Sequence, residues 1–197
     1  MASAVPRLEE VRKATERLTL RRLTLADQAA FVAMLDESAE AWAPWTPSPP
    51  DDLTPADRFR REIERGASGA RAGTHLRLGA FGPEGRLIGL FSLNEIVRGV
   101  FESAYAGWQV RATDAGRGLG TEGVSALLDI AFAAPPRGLG LHRVQANIMP
   151  SNAASLGVAR KVGFRREGEA LRYLRIAGRW EDHVMFALTA DEWPRGA

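Results

Sequence analysis

The chain of 197 residues contains no cysteine. That excludes disulfides, thiolate nucleophiles, cysteine metal ligands and any route through an acyl-cysteine. No metal is expected. Nor does the sequence hold an apolar run near the ~20 residues that a membrane span needs. Residues 1–10 carry acids and lack an apolar segment, so neither an anchor nor a secretory signal is expected, and the setting reads as cytoplasmic. Charge of one sign is scarce too. The formal net charge is +2, and the pI near 9.5 reflects a slight arginine excess where few groups titrate. Arg58, Arg60 and Arg61 sit among Asp57, Glu62 and Glu64. Such alternation is the pattern of a solvated helix face, and no direct nucleic-acid contact is expected from it. What remains is an ordinary globular mixture, 45% apolar and 25% charged, long enough for one domain with a sizeable core.

Periodicity divides the chain into a charged lead-in (1–14), one domain without linker or repeat (15–190) and a short tail (191–197). Residues 17–25 alternate as a strand does. Ala26 and Asp27 then open a helix with Ala30, Phe31, Met34 and Leu35 on one face. Residues 42–50, with Pro44, Pro47, Pro49 and Pro50, read as irregular chain. Thr54 and Pro55 start a second helix, to about residue 65. A meander of three strands follows, over 75–81, 87–97 and 102–110, with turns at 82–85 and 98–99. A glycine-rich stretch, 115–120, then runs into a helix whose apolar positions are Leu119, Val124, Leu127, Leu128, Ala131 and Phe132. Pro135, Pro136 and Gly138 stop it. Residues 142–148 read as a strand. Pro150, Ser151 and Asn152 cap a helix that Gly163 ends, and 164–176 with 179–188 form a closing hairpin around Ala177-Gly178.

The segment with most chemical content is the strand, the loop Ala115-Gly116-Arg117-Gly118-Leu119-Gly120-Thr121, and the helix after it. Such a unit points unpaired backbone N–H groups outward at the positive end of a helix, and glycine lets the backbone come close to a pyrophosphate. Arg117 can add a charge-assisted contact. On these residues alone, a phosphate pocket and an ordinary tight turn fit equally well. A dinucleotide site would want the loop after the first strand, and a Walker loop would want Gly-Lys-Ser/Thr. Neither condition is met. The segment 102–148 should be a right-handed crossover joining parallel strands. If those strands part at their ends, a linear cofactor can lie between them against free strand edges. Asn152 would then meet the cofactor's amide arm, with Ser155 one turn later; a plain N-cap explains the same residues.

Here the sequence resembles a known family. The loop, with its strand and helix, is similar to the cofactor motif Q/R-x-x-G-x-G/A of GNAT acetyltransferases. His142-Arg143-Val144-Gln145-Ala146-Asn147, on through Met149-Pro150-Ser151-Asn152-Ala153-Ala154-Ser155 and Lys161-Val162-Gly163-Phe164, resembles the Rim-type branch, the ribosomal-protein N-terminal acetyltransferases. Thr15-Glu16-Arg17-Leu18, Trp42-Ala43-Pro44-Trp45 and Trp180-Glu181-Asp182-His183-Val184 extend the resemblance over nearly the whole chain.

The resemblance implies a mixed α/β (α+β) fold. Its sheet has about seven mostly antiparallel strands, helices on both faces and a splayed parallel central pair. It implies acetyl-CoA as cosubstrate in that splay. Trp108, Gln109 and Val110 would supply strand-edge contacts to the pantetheine. Arg117, Gly118, Leu119, Gly120 and Thr121 would hold the pyrophosphate, and Asn147 and Asn152 would bind the rest of the cofactor. Ser155 would protonate or hydrogen-bond the leaving thiolate. Ala115 stands where the motif opens on Gln or Arg. Leu174 stands where some Rim-type members carry a glutamate base, so the base is open. Glu95 and Glu102 are candidates to hold a water for it, His75 and His183 are further candidates, Tyr105 and Tyr173 are candidates to line the acceptor site, and the Trp42–Trp45 loop is a candidate wall. The expected reaction is direct attack of an amine on the thioester, most simply by a protein N-terminus, a ribosomal protein among the candidates. The alternatives are a small amine acceptor (aminoglycoside, polyamine or amino acid) and a non-catalytic CoA-binding or ribosome-associated factor. Either a monomer or a homodimer fits.

Overall fold

Alternating apolar and polar residues through the middle of the chain build a single sheet. The computed structural model describes residues 8–47 and 53–194. Its strands are β1 (Arg12–Ala14), β2 (Thr19–Arg21), β3 (Leu76–Phe81), β4 (Leu87–Val97), β5 (Ser103–Val110), β6 (Arg143–Ile148), β7 (Arg165–Ile176) and β8 (Arg179–Thr189), and its α-helices are α1 (Gln28–Trp42), α2 (Pro55–Ala72), α3 (Leu119–Phe132) and α4 (Ala153–Val162). The order across the sheet is β1-β2-β3-β4-β5-β6-β8-β7. Every pair is antiparallel except β5 with β6, the pair joined through α3. An apolar core that includes Phe91, Leu93, Val144, Ala146, Val184 and Phe186 of the sheet packs Val124, Leu127 and Leu128 of α3 and Ala159 and Val162 of α4. A second, smaller core joins Phe31, Met34 and Leu35 of α1 and Phe59 of α2 to Phe81 and Leu87.

Small residues set how closely the layers approach. A Cβ on Gly123 would lie 2.2 Å from the Phe91 ring, so α3 can seat on β4 only with glycine there. At the ends of α2, Thr54 and Asp57 form a reciprocal capping box with Pro55 in the first turn, and Gly73 takes the left-handed conformation at φ +71°.

The sheet has eight strands where seven were expected. The extra edge strand is β1, which falls within the segment read as a lead-in, and Leu8 before it is buried at 4% exposure. The strand expected over 17–25 shrinks to Thr19–Arg21, because Thr24 and Asp27 close a capping box around a 3-10 turn at Leu25–Asp27. The proline segment is partly helical: α1 runs to Trp42, and Ala43–Trp45 adds a 3-10 turn. Pro44 stands in the first turn of that element, where a missing N–H breaks nothing. Residues 48–50 of the segment lie outside the described residues. Helix α2 continues to Ala72 rather than stopping near 65, since the buried Gly66 and Gly69 let its last turns lie against Arg77 and His75. In the tail, the Trp193 indole donates to Asp129 Oδ1 at 3.0 Å and packs at a tilt on Phe132.

Candidate active site

Strands β5 and β6 are bridged only by Ser103 with Arg143, Ala104 with Val144, and Tyr105 with Gln145. Beyond these pairs both strands continue, β5 to Val110 and β6 to Ile148, with no further bridge. The direction of the freed groups follows from one hydrogen bond. The Arg111 amide donates to the Ile88 carbonyl at 2.7 Å, next to the pair Gly89 with Val110. In an antiparallel ladder this makes Val110 a non-hydrogen-bonded partner, so its own N–H and C=O point away from β4. By the same alternation Ala106 and Trp108 also face the gap. The Val110 carbonyl is taken by the Trp42 indole N–H at 2.9 Å. The gap opens into a cleft of about 600 Å³, walled by β5 from Ala106 onward, the glycine loop, the end of β6, the first turns of α4, and Trp42 and Trp45.

The loop is shaped by two left-handed glycines, Gly116 at φ +76° and Gly118 at φ +79°. Among the described residues, none of the backbone amides of 116–121 meets an acceptor. A row of unpaired donors at the positive end of a helix is a phosphate cradle in form. Beside it Asp114, 3% exposed, is flanked by Arg117 Nη1 at 2.8 Å and Arg86 Nη2 at 3.2 Å.

Across the cleft, Asn152 Oδ1 accepts the Ser155 amide at 3.0 Å, so Asn152 is the N-cap of α4. No partner for its Nδ2 is found among the described residues, and both residues line the cleft. At the inner end, Asn147 Nδ2 donates to the Tyr173 hydroxyl at 2.8 Å. Burial, reinforced by Tyr105, pushes the Tyr173 phenol above its ordinary value, against the pull of Asn147. The ring of His183 meets Tyr173 edge-on at 5.4 Å, and its Nδ1 lies 3.0 Å from the Glu181 carbonyl. A carbonyl only accepts, so Nδ1 is the donor in that contact. Trp108 Nε1 and Asn147 Oδ1 are buried and meet no partner among the described residues.

Trp108, Gln109, Val110, Gly118, Gly120, Thr121, Asn147, Asn152 and Ser155 therefore come together around one cleft. Other sequence candidates do not line it. The Leu119 side chain is buried in the core. The Arg117 side chain is 67% exposed and turned to Asp114. Tyr105 is not among the cleft-lining residues, though it lies near enough to Tyr173 to help raise its phenol. Glu95 is exposed at a β4 bulge with φ +49°, although its charge reaches Tyr173. Glu102, at φ +40°, precedes the opposite end of β5. His75 lines a separate hollow between α2 and β3, whereas His183 is part of the cleft. Sequence reasoning missed the donation from Trp42 to Val110 and the buried Asp114, because neither has a local signal.

The chain matches the acetyltransferase (GNAT) domain model over residues 17–165. It is 31% identical over 188 residues to the [Ribosomal protein uS5]-alanine N-acetyltransferase of Escherichia coli, covering 95% of each chain. It is 31% identical over 170 residues to the probable N-acetyltransferase YjcK of Bacillus subtilis, covering 86% of this chain and 92% of that one. Among solved structures, Mycobacterium smegmatis RimJ in complex with CoA-disulfide superposes with a TM-score of 0.82 at 29% identity, over 91% of this chain and 85% of the other. With that architecture, the parted parallel pair and the match over most of its length, the chain belongs to the GNAT acetyltransferase family and is an N-acetyltransferase.

Proposed function

We propose that the protein transfers the acetyl group of acetyl-CoA to the α-amine at the N-terminus of a protein, with a ribosomal protein as the natural acceptor class. The observation that carries this reading is the open row of amides at 116–121 running into the free edge of β5. Those amides suit a diphosphate, and the outward N–H groups of Ala106, Trp108 and Val110 suit the carbonyls of a pantetheine arm and a thioester. The acceptor rests on relatives: the E. coli protein acetylates an alanine of uS5 by name, and a Vibrio fischeri ribosomal-protein-S5-alanine acetyltransferase shares the fold at TM-score 0.82 and 26% identity.

In this reading the amine nitrogen attacks the thioester carbonyl carbon, the C–S bond breaks, and a β5 amide steadies the oxygen as it gains charge. The Ser155 hydroxyl donates a hydrogen bond to the departing thiolate, and the proton the amine loses passes through water, the thiolate leaving as the free thiol of CoA. Tyr173, raised in pKa, stays protonated and holds Asn147 rather than taking the amine's proton. An α-amine near pKa 8 is already about a tenth neutral at pH 7, so a strong base is unnecessary, whereas a lysine near 10.4 would need one.

Incubation with acetyl-CoA and peptides beginning with Ala or Ser, read by mass spectrometry, tests this. Peptides should gain one acetyl group at the N-terminus, while spermidine, an aminoglycoside and peptides with a blocked N-terminus and an internal lysine should not. Turnover on the small amines alone would overturn the acceptor assignment.

A further inference from the structure

The phosphate loop is held by a residue about a hundred positions earlier in the chain. Arg17 follows β1 and lies outside the cleft, yet its side chain spans two parts of the loop-helix unit. Its Nε donates to Glu122 Oε2 at 2.6 Å and its Nη1 to the Arg117 carbonyl at 2.9 Å. Its backbone amide donates to Glu122 Oε1 at 2.8 Å, and the Thr15 hydroxyl donates to the same oxygen at 2.5 Å. Glu122 lies in the first turn of α3, and its own amide bonds the Gly118 carbonyl at 3.1 Å. Burial raises the Glu122 carboxyl, but the hydrogen bonds from Thr15 and Arg17 outweigh it and keep the group below its ordinary range, so it is ionised at neutral pH.

The consequence lies in a peptide plane. A trans peptide points its C=O and the next residue's N–H in opposite directions. The carbonyl of Arg117 is fixed toward Arg17, so the N–H of Gly118 is fixed the other way. Gly118 lines the cleft, whereas Arg17 does not. Gly118, at φ +79°, has no side chain to restrict its rotation, so an outside contact is what selects one orientation of this plane. The guanidinium sits against the loop: its Nη2 is 3.5 Å from where a Cβ on Gly118 would be.

We infer that Arg17 is a positioning residue for the cosubstrate's diphosphate: braced by Glu122, it fixes the Arg117–Gly118 peptide with its N–H toward the cleft. This rests on the acetyl-CoA reading above. It concerns the phosphates alone, because Arg17 touches neither the free edge of β5 nor Asn152.

The test compares two acetyl donors, acetyl-CoA and S-acetyl-pantetheine, which carries the same thioester and amide arm but no phosphate. In Arg17→Lys the charge stays, but an ammonium cannot reach both Glu122 and the Arg117 carbonyl as the fork does. Misdirecting one amide that serves a charged oxygen costs about tenfold. So kcat/KM with acetyl-CoA should fall about tenfold in Arg17→Lys and at least as far in Arg17→Met, mostly through KM. With S-acetyl-pantetheine it should fall less than twofold. Equal losses with both donors, or variants that unfold at the assay temperature, would assign Arg17 to the fold alone and overturn the inference. So would a lysine variant with wild-type acetyl-CoA kinetics, since charge without geometry would then suffice. Failure of the transferase reading looks different: the wild-type protein itself would then turn over neither donor.

Discussion

Asn152 carries two assignments that one pair of substitutions separates. Its Oδ1 caps α4 by accepting the Ser155 amide at 3.0 Å, and its Nδ2 is the group left over for a pantetheine carbonyl. Asn152→Asp keeps the acceptor and removes the donor, and Asp caps as well as Asn does. Asn152→Ala removes both. Loss of an N-cap costs about 1 kcal/mol, and for a chain of this size that is about 2–4 °C in Tm. Loss of one neutral hydrogen bond to the ligand costs about 0.5–1.5 kcal/mol, or about three- to tenfold in affinity. The alanine variant should therefore melt about 2–4 °C low, with KM for acetyl-CoA raised about three- to tenfold. The aspartate variant should melt within about 1 °C of wild type and show the same rise in KM. Scanning fluorimetry gives the first quantity and initial rates at varied acetyl-CoA the second. An aspartate variant with wild-type KM would mean that Asn152 is a cap and nothing more. The argument for its amide as a cosubstrate ligand would then fail.

Ser155→Ala should lower kcat by tenfold or more while CoA affinity by calorimetry stays within about twofold, if its hydroxyl meets only the departing sulfur. A matching loss of affinity would move Ser155 from the reaction to the binding site. Gly123→Ala places a methyl 2.2 Å from the Phe91 ring, an overpacking worth about 1–3 kcal/mol and therefore about 2–12 °C of Tm; an unchanged melt would show that α3 and β4 yield at that seam. Arg143, with help from Arg165, holds the Glu167 carboxyl at about 2, against an ordinary 4.5. A depressed carboxylate stabilises the fold above its unfolded pKa and loses that contribution as pH falls through its folded one. The Tm gap between wild type and Glu167→Gln should thus be constant above about pH 5, shrink toward pH 2, and narrow with added salt. A gap independent of pH would refute the ion-pair account.

How much of this was legible in the sequence depends on the range of each signal. Strand β4 spans the predicted 87–97 because apolar residues recur along its length and glycine turns bound it. The loop 115–121 was legible for the same reason: αL glycines followed by an apolar helix are a local pattern. Strand β1 was not, since Arg12–Ala14 has no periodicity of its own and exists by pairing with β2. The side chains that separate cleft from surround also depend on contacts far along the chain. Tyr173 reaches Asn147 because β7 carries extra residues between Ala170 and Leu174 opposite β8. Glu95 is a candidate by sequence to hold a water at the cleft, but a bulge after Asn94 and a positive φ set it outside the lining.

One asymmetry ties these details to the chemistry. Three carbonyls beside the cleft are claimed by protein donors: that of Val110 by the Trp42 indole, that of Arg117 by the Arg17 guanidinium, that of Gly118 by the Glu122 amide. The amides of 116–121 find no such acceptors among the described residues. A peptide chain carries donors and acceptors in nearly equal number, so a loop surface rich in donors arises only where the acceptors are satisfied elsewhere. Unsatisfied donors are costly when water is excluded, and a ligand made largely of acceptor oxygens recovers that cost. A diphosphate followed by amide and thioester carbonyls is such a ligand. A polyamine, made of donors, is not, and it would have to approach from another side of the reacting carbonyl. At the phosphate loop, the bias toward acceptor ligands therefore rests less on a cleft-lining side chain than on the Arg17 guanidinium and the Glu122 amide, which claim the carbonyls of Arg117 and Gly118.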